Sequence, residues 1–420
     1  RRFFKKKAFS KRGSSVKKKS GVRGQSTTHG GSGISKKILF CVLYSNPPSP
    51  PLLKGGKGGG YILCILYSVL CILSLAACAK NDSMYKESRI VMDTFCTITV
   101  VSPSRKEAKE AIEAGFTEIK RLEQLLNFFS ADSEVTALNR ASGREPVKVS
   151  RDVLDAIKKA VEIANYTDGA FDPTIGPLMR LWGFESQNPK PSIPLENKIK
   201  DALRFVDYKK IKINDLASQI FLEEKGMEID LGGIAKGYAA DRAIEAIKAK
   251  GIKAALVAIA GDIKTFGLKP DLQPWKIGIQ NPRPKTGKDE DIIPPNPPLA
   301  KGGEGGLSED IFASLYIKDK AISTSGDYQR FFIQNGKQYH HILNPGTGYP
   351  AAGVISVSII APEGYMADGL STGIFVLGTD KGIKLLESMG FDGMIVDANK
   401  KIFITKNLKG KINLEGELKK

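Results

Sequence analysis

The chain has 420 residues, 41% of them hydrophobic, with 63 Lys and Arg against 45 Asp and Glu, a nominal net charge of +18. Residues 1–60 hold 15 of the basic residues and no acidic one, so residues 61–420 carry 48 against 45, or +3. A body this near to neutral, with ample material for a core, lacks the basic surface that nucleic-acid binding requires, and nucleic acid is not expected as a partner.

Cysteine and histidine narrow the chemistry. Cys41, Cys64 and Cys71 lie in or before an apolar leader and only Cys78 and Cys96 follow it, so no disulfide framework is expected. His29 lies in the leader, and the body has only His340 and His341. That is too little for a histidine-built zinc or haem site, and any metal should be a hard, oxygen-bound cation.

Residues 1–60 read as a basic leader, either untranslated or disordered. The first residue is Arg and the first Met is Met84. The start is therefore expected at another codon within the first 60 residues, with much of 1–50 untranslated. Tyr61 to Ala77 is an uncharged apolar run, preceded by Lys54 and Lys57 and followed by Cys78 and then Lys80-Asn81-Asp82. This is the pattern of an export signal. Leu75-Ala76-Ala77-Cys78 resembles the lipobox of bacterial lipoproteins, in which the cysteine becomes the lipidated first residue. A single transmembrane anchor is the competing reading of the same run. Either one tethers residues 79–420 to the membrane outside the cytoplasm.

In the body, Ile90 to Val101 is rich in β-branched residues and predicts one strand. A helix follows, capped by Ser104, with Ala108, Ile112, Ile119, Leu122 and Leu126 on one face. The three- and four-residue spacing of Val153, Leu154, Ile157, Ala160, Val161 and Ala164 predicts a second helix over about Arg151 to Asn165. Further helices are expected from about Ala235 to Lys250 and from Ala367 to Leu377. Strands are expected at Met227 to Leu231, Ala255 to Ala260, Trp275 to Ile279, Ile311 to Ile317 and Val354 to Ile360. The mixture has no regular βαβ rhythm, which favours an α+β fold. Asn296-Pro297-Pro298-Leu299-Ala300-Lys301-Gly302-Gly303 repeats, in modified form, the run Asn46 to Gly56. Such Pro/Gly-rich copies cannot build a core, so residues from about 284 to 307 are expected to be a disordered insert; a polyproline recognition motif is the alternative.

Four segments could carry chemistry, and each also has a purely structural reading. Met227 to Tyr238 runs through Gly232-Gly233 into a helix, where a pyrophosphate could meet helix N–H groups, although glycines there also serve turn geometry alone. It is neither a Walker A loop nor a GxGxxG fingerprint. Asp368 and Thr372 stand at i and i+4, so a carboxylate and a hydroxyl could share a Mg²⁺; Asp368 could equally sit in a first helical turn and favour the dipole. His340 and His341 precede a Pro/Gly turn, as a base, as a donor to phosphate, or as surface or hydrogen-bonded structural residues. Aromatic residues around Asp168 to Phe184 could sandwich a planar ring or belong to the core.

Seven segments in order, MDTFCTITV, FFSADSEVTALN, GAFDPTIGPLMRLWGF, IDLGGIAKGYAAD, STSGDYQR, HILNPGTGYP and MADGLSTGIFVLG, together resemble the ApbE family of FAD:protein FMN transferases. The resemblance runs from about Met92 to the C-terminal region, interrupted by the Pro/Gly insert. It implies an α+β fold related to the T-fold, with mixed sheets and flanking helices. It further implies a Mg²⁺-dependent enzyme that joins the FMN half of FAD to a threonine hydroxyl of a target protein and releases AMP.

By motif, Met92, Phe129, Ala170, Phe171, Asp172, Asp230, Lys236 and Ile342 would line the FAD site. The carbonyl of Gly233, with Asp368 and Thr372, would bind Mg²⁺. His341 is the candidate for deprotonating the attacking hydroxyl, with Asp368 as its competitor. The implied acceptors are subunits of Rnf- or Nqr-type membrane redox complexes. Three positions depart from the pattern: Lys236 stands where some relatives have Glu, Phe129 where Tyr or Trp is common, and Asn344 where Asp is frequent. The same metal site would permit a rival function, an FAD pyrophosphatase giving FMN and AMP, if water replaced threonine; a third reading, of a different class, is a flavin-binding lipoprotein without turnover.

Overall fold

The computed structural model describes residues 82–184, 191–283 and 311–415. The expected leader, signal segment and lipobox, and the expected insert at 284–307, lie outside these residues. Ile90 to Val101 is not one strand. β1 (Ser83–Val91) and β2 (Thr94–Ser102) form an antiparallel hairpin with Val91 opposite Thr94, turned by Met92 and Asp93 at φ 54° and 56°. Two consecutive left-handed residues make the tight turn whose twist suits a hairpin, a place usually taken by Asn-Gly. Met-Asp carries no such compositional signal, so the expected continuous strand is corrected to two.

Three helices close their N-termini with their own serines. α1 (Arg105–Leu126) is capped by Ser104, α2 (Glu134–Arg140) by Ser133 and, after the short β3 (Val147–Lys148), α3 (Arg151–Tyr166) by Ser150; each side chain accepts a first-turn N–H. The expected apolar faces of α1 and α3 are buried. Then come α4 (Gly176–Trp182), α5 (Glu196–Leu203), β4 (Ile211–Asn214), β5 (Gln219–Leu222) and α6 (Ala235–Lys248). The strands β6 (Ala254–Ile259), β7 (Asp262–Phe266), β8 (Trp275–Gln280), β9 (Ile311–Ile317), β10 (Ala321–Gly326), β11 (Phe331–Gln334), β12 (Lys337–His340) and β13 (Val354–Ala361) follow. The described chain ends with α7 (Gly364–Leu377), α8 (Thr379–Met389), β14 (Asp392–Asp397), β15 (Ile402–Ile404) and β16 (Ile412–Leu414).

One wholly antiparallel sheet, in the order β1-β2-β6-β7-β10-β13-β14-β15, organises the molecule. The residues of α1, α3, α6 and α7 share a core with one of its faces, through Ile98, Val257 and Ile359. The smaller sheet β16-β9-β8 covers the other, through Ile277, Leu315, Ile322 and Ile360. β13 is buried along its whole length because both its faces are covered, and a bulge between Val354 and Ser356 shifts its alternation. Mixed helices and antiparallel sheets give the expected α+β class.

The segment Met227 to Leu231 forms no strand. It is extended, with one isolated bridge from Glu228 to Ile175, and its backbone is satisfied by side chains and loops. Asn139 brackets Ile229, accepting its N–H (2.7 Å) and donating to its carbonyl (2.9 Å), and the Asp230 N–H donates to the Pro173 carbonyl (2.8 Å). Its alternating pattern reflects burial without a ladder. Among the described residues no helix is long and apolar enough to cross a membrane.

Candidate active site

The site forms where α6 meets α7, and neither helix caps its own N-terminus. Each is instead closed by a carboxylate of the other. Asp241 of α6 accepts the N–H groups of Gly364 (2.7 Å) and Tyr365 (3.1 Å) at the start of α7. Asp368 of α7 accepts the N–H of Gly237 (2.9 Å) in the first turn of α6. The exchange requires close backbones: a Cβ on Gly237 would lie 2.2 Å from the Gly364 carbonyl oxygen, and one on Gly364 would lie 2.3 Å from that of Gly237. The anion on the α6 N-terminus is thus Asp368 itself. α7 begins at Gly364, earlier than expected, so Asp368 stands in its second turn and does not serve its own helix dipole.

Around Asp368 the charges are dense and buried. The Lys236 ammonium sits 2.9 Å from Asp262 Oδ2 and 3.8 Å from Asp368 Oδ2. Burial, with the Asp262 charge added, holds the Asp368 carboxyl well above the ordinary carboxylate range, against the pull of Lys236 and the Gly237 N–H. Burial opposes the charge on Lys236, but Asp262 and Asp368 outweigh it and raise its affinity for the proton. Among the described residues both of these contacts to the Asp368 carboxylate fall on Oδ2, which leaves Oδ1 for a ligand. Thr372 lies one turn further along α7. Gly233 packs against it so closely that a Cβ there would meet Phe171 Cε2 at 2.9 Å and Thr372 Oγ1 at 3.5 Å. Gly233, Lys236, Asp368, Thr372 and the Phe171 ring are therefore brought together.

The remaining expected residues hold varied positions. Asp172 Oδ1 accepts from the N–H (2.8 Å) and hydroxyl (2.6 Å) of Thr174, and Oδ2 from the Tyr208 N–H (3.0 Å), so its carboxylate is spent on holding the loop. Asp230 is buried, which raises its pKa, and accepts the Gly232 N–H at 2.8 Å. Ala170 is half-buried in the turn after α3. Met92 donates its N–H to Glu123 Oε1 (2.7 Å), while Phe129 is 39% exposed and meets Phe128 edge-on at 4.9 Å. Among the described residues no hydrogen bond or ion pair joins Met92 or Phe129 to the α6–α7 group. Trp182 is buried among Phe184, Phe332, Tyr339 and Tyr349, which is the core reading of that aromatic segment.

The two histidines separate cleanly. His340 Nε2 lies 2.9 Å from the Ala351 carbonyl and Nδ1 accepts the Ile342 N–H (3.3 Å), so both ring nitrogens are used and Ile342 is fixed in the core. His341 Nδ1 lies 3.2 Å from the Arg330 carbonyl. A carbonyl only accepts, so Nδ1 carries the proton and Nε2 keeps its lone pair. Burial, then the Arg330 charge, pushes the His341 pKa down to about 3, with Lys236 adding a smaller positive field.

Asp262, Ser325 and Ser371 escaped the sequence reading. Asp262 opens β7 after a tight turn at Ala260 and Gly261, and is buried to 4% exposure. A charged residue directly after a two-residue turn usually faces water, so its burial gives no local signal. Ser325 and Ser371 lie inside recognised segments, and their roles depend on the packing of β10 against α7. Two surface clefts of about 410 and 390 Å³ lie elsewhere, one around Arg151, Tyr238 and Arg242 and one around Ile383 and Phe403; neither includes an expected site residue.

Known proteins resemble this chain in sequence and fold. The sequence model of the ApbE family matches residues 92–395. The FAD:protein FMN transferase of Treponema pallidum is 31% identical over 356 residues, covering 80% of this chain and 91% of the relative. That of Klebsiella pneumoniae is 31% identical over 330 residues, covering 78% and 93%. Among solved structures, the ApbE protein of Thermotoga maritima superposes with a TM-score of 0.69 at 35% identity, covering 78% of this chain and 99% of that one. The flavin transferase ApbE of Vibrio cholerae does so at 0.66 and 25%, with the same coverage. The chain is a member of the ApbE family.

Proposed function

We propose that this chain is an FAD:protein FMN transferase, which moves the FMN half of FAD onto a threonine hydroxyl of an acceptor protein and releases AMP. The observation that carries the reading is the meeting of Asp368, Thr372, Gly233 and Lys236 at one helix junction, in a family whose matched relatives bear that name. The acceptor oxygen bonds to the flavin-side phosphorus, the anhydride bond breaks, and AMP leaves with the bridging oxygen. His341 Nε2, unprotonated at neutral pH, takes the hydroxyl proton as the new bond forms, with Asp368 as the competing base. The Lys236 ammonium, fixed by Asp262, offers positive charge to the pyrophosphate.

The Asp368 carboxylate, Thr372 hydroxyl and Gly233 carbonyl are hard oxygen donors and suit Mg²⁺. Among the described residues no three His, Cys, Asp or Glu side chains group into a metal site, so a cation here draws on hydroxyl and backbone oxygen as well. Mg²⁺ bound there would neutralise pyrophosphate charge and stabilise the leaving AMP. The reading places the enzyme outside the cytoplasm on a lipid anchor at Cys78, with flavin-accepting subunits of Rnf- or Nqr-type complexes as acceptors. Its support is the apolar run and the Leu75-Ala76-Ala77-Cys78 segment.

The test is intact-mass analysis of a candidate acceptor domain incubated with the protein, FAD and Mg²⁺. A gain of one FMN unit is expected. FMN and AMP released with every offered acceptor unmodified would make the protein a pyrophosphatase, and unchanged bound FAD would make it a carrier.

A further inference from the structure

Ser371 and Thr372 are adjacent hydroxyls on α7, and the structure treats them differently. The Asp368 carbonyl is within helical reach of both, at i−3 and i−4. Ser371 takes it, with Oγ at 2.8 Å. A carbonyl cannot donate, so the single Ser371 proton is spent there. Ser371 Oγ also lies 2.7 Å from Ser325 Oγ on β10, and with the Ser371 proton committed, Ser325 must be the donor of that bond. Ser325 Oγ in turn lies 3.2 Å from Thr372 Oγ1, and with the Ser325 proton committed, Thr372 must donate. The direction of every proton in the chain Thr372 to Ser325 to Ser371 to the Asp368 carbonyl follows from its last acceptor. Ser323 is outside it: its hydroxyl donates to Asp262, so its 3.4 Å approach to Ser371 is a contact without a proton.

We propose that Ser325 and Ser371 are positioning residues that hold the Thr372 hydroxyl with its proton turned inward and its lone pairs outward, which makes it a cation ligand. Without Ser325, the Thr372 hydroxyl is free to rotate and present its proton to the site. The relay begins and ends on α7 and passes through β10, so it also ties the ligand side chain to the sheet. The inference rests on the reading of Thr372 as a Mg²⁺ ligand.

The test uses Mn²⁺ as a spectroscopic substitute for Mg²⁺, titrated into the full chain without FAD while free Mn²⁺ is followed by electron paramagnetic resonance. Ser325→Ala and the near-isosteric Ser325→Cys are each expected to weaken Mn²⁺ binding on the order of tenfold, the usual cost of losing a group that orients a metal ligand. Ser325→Thr, which keeps the hydroxyl, should restore affinity. Thr372→Ala should weaken binding at least as much, and adding Ser325→Ala to it should cost nothing more. If Thr372→Ala weakens Mn²⁺ binding while both Ser325→Ala and Ser325→Cys leave it unchanged, or if the two losses add, the relay is refuted. If Thr372→Ala itself binds Mn²⁺ like the parent, the ligand reading fails and the relay falls with it.

Discussion

The N-termini of α1 and α3 and those of α6 and α7 meet the same requirement in opposite ways. Ser104 and Ser150 cap their own helices, within three residues of the N–H they satisfy. Asp368 and Asp241 cap helices far away in the chain, across the α6–α7 contact. A local cap needs only its own helix. An exchanged cap needs both helices in register and carries a carboxylate into the interior, where burial raises its proton affinity and makes it useful for chemistry.

The largest effect should come from Asp368→Ala, which removes the cap and the proposed metal ligand together. Flavin transfer followed by intact mass should fall by at least about a hundredfold, the scale of losing a placed transition-state group. Asp241→Ala removes a cap serving two N–H groups together with the 3.6 Å ion pair to Lys264. Its urea midpoint should drop by the equivalent of about 3 kcal/mol, with transfer surviving where the protein stays folded. Ser150→Ala should cost only about 1 kcal/mol in the same denaturation series and leave transfer unchanged. A cost for Ser150→Ala as large as that for Asp241→Ala would remove the distinction between the two kinds of cap.

A further effect concerns acid. The His341 imidazole has its pKa lowered to about 3 in the fold, against about 6.5 in an unfolded chain. As pH falls from about 6.5 toward 3 the unfolded state takes up a proton that the folded state refuses, so stability declines across that window. His341→Gln should flatten the decline, read as the shift in urea midpoint between pH 7 and pH 5. An unchanged decline would mean that His341 titrates normally.

The same contrast governs what could be read from the chain. The α1 cap and the apolar faces of α1 and α3 were legible because every interaction lies within one or two turns, at spacings the helical period dictates. Family motifs singled out Gly233, Asp368 and Thr372, which the fold brings together, while their periodicity alone left a structural reading open. The Met92-Asp93 turn was missed because its left-handed residues are neither Gly nor Asn. Met227 to Leu231 looked like a strand because apolar residues alternate there at Met227, Ile229 and Leu231, though its partners are the Asn139 side chain and the Pro173 carbonyl. Asp262 and Ser325 gain their roles only when β7 and β10 pair within the sheet and face α6 and α7. No local pattern records a contact made between residues so distant.

One carboxylate, Asp368, closes α6 and on the proposed function also serves the reaction, and Asp368→Asn separates the two roles. The amide keeps an oxygen that can accept from Gly237 but loses the charge. Single-turnover transfer of FMN from FAD to an acceptor domain, measured by intact mass beside a urea denaturation curve, should show near-parental stability and almost no transfer. Transfer at the parental rate by a folded Asp368→Asn protein would contradict the account.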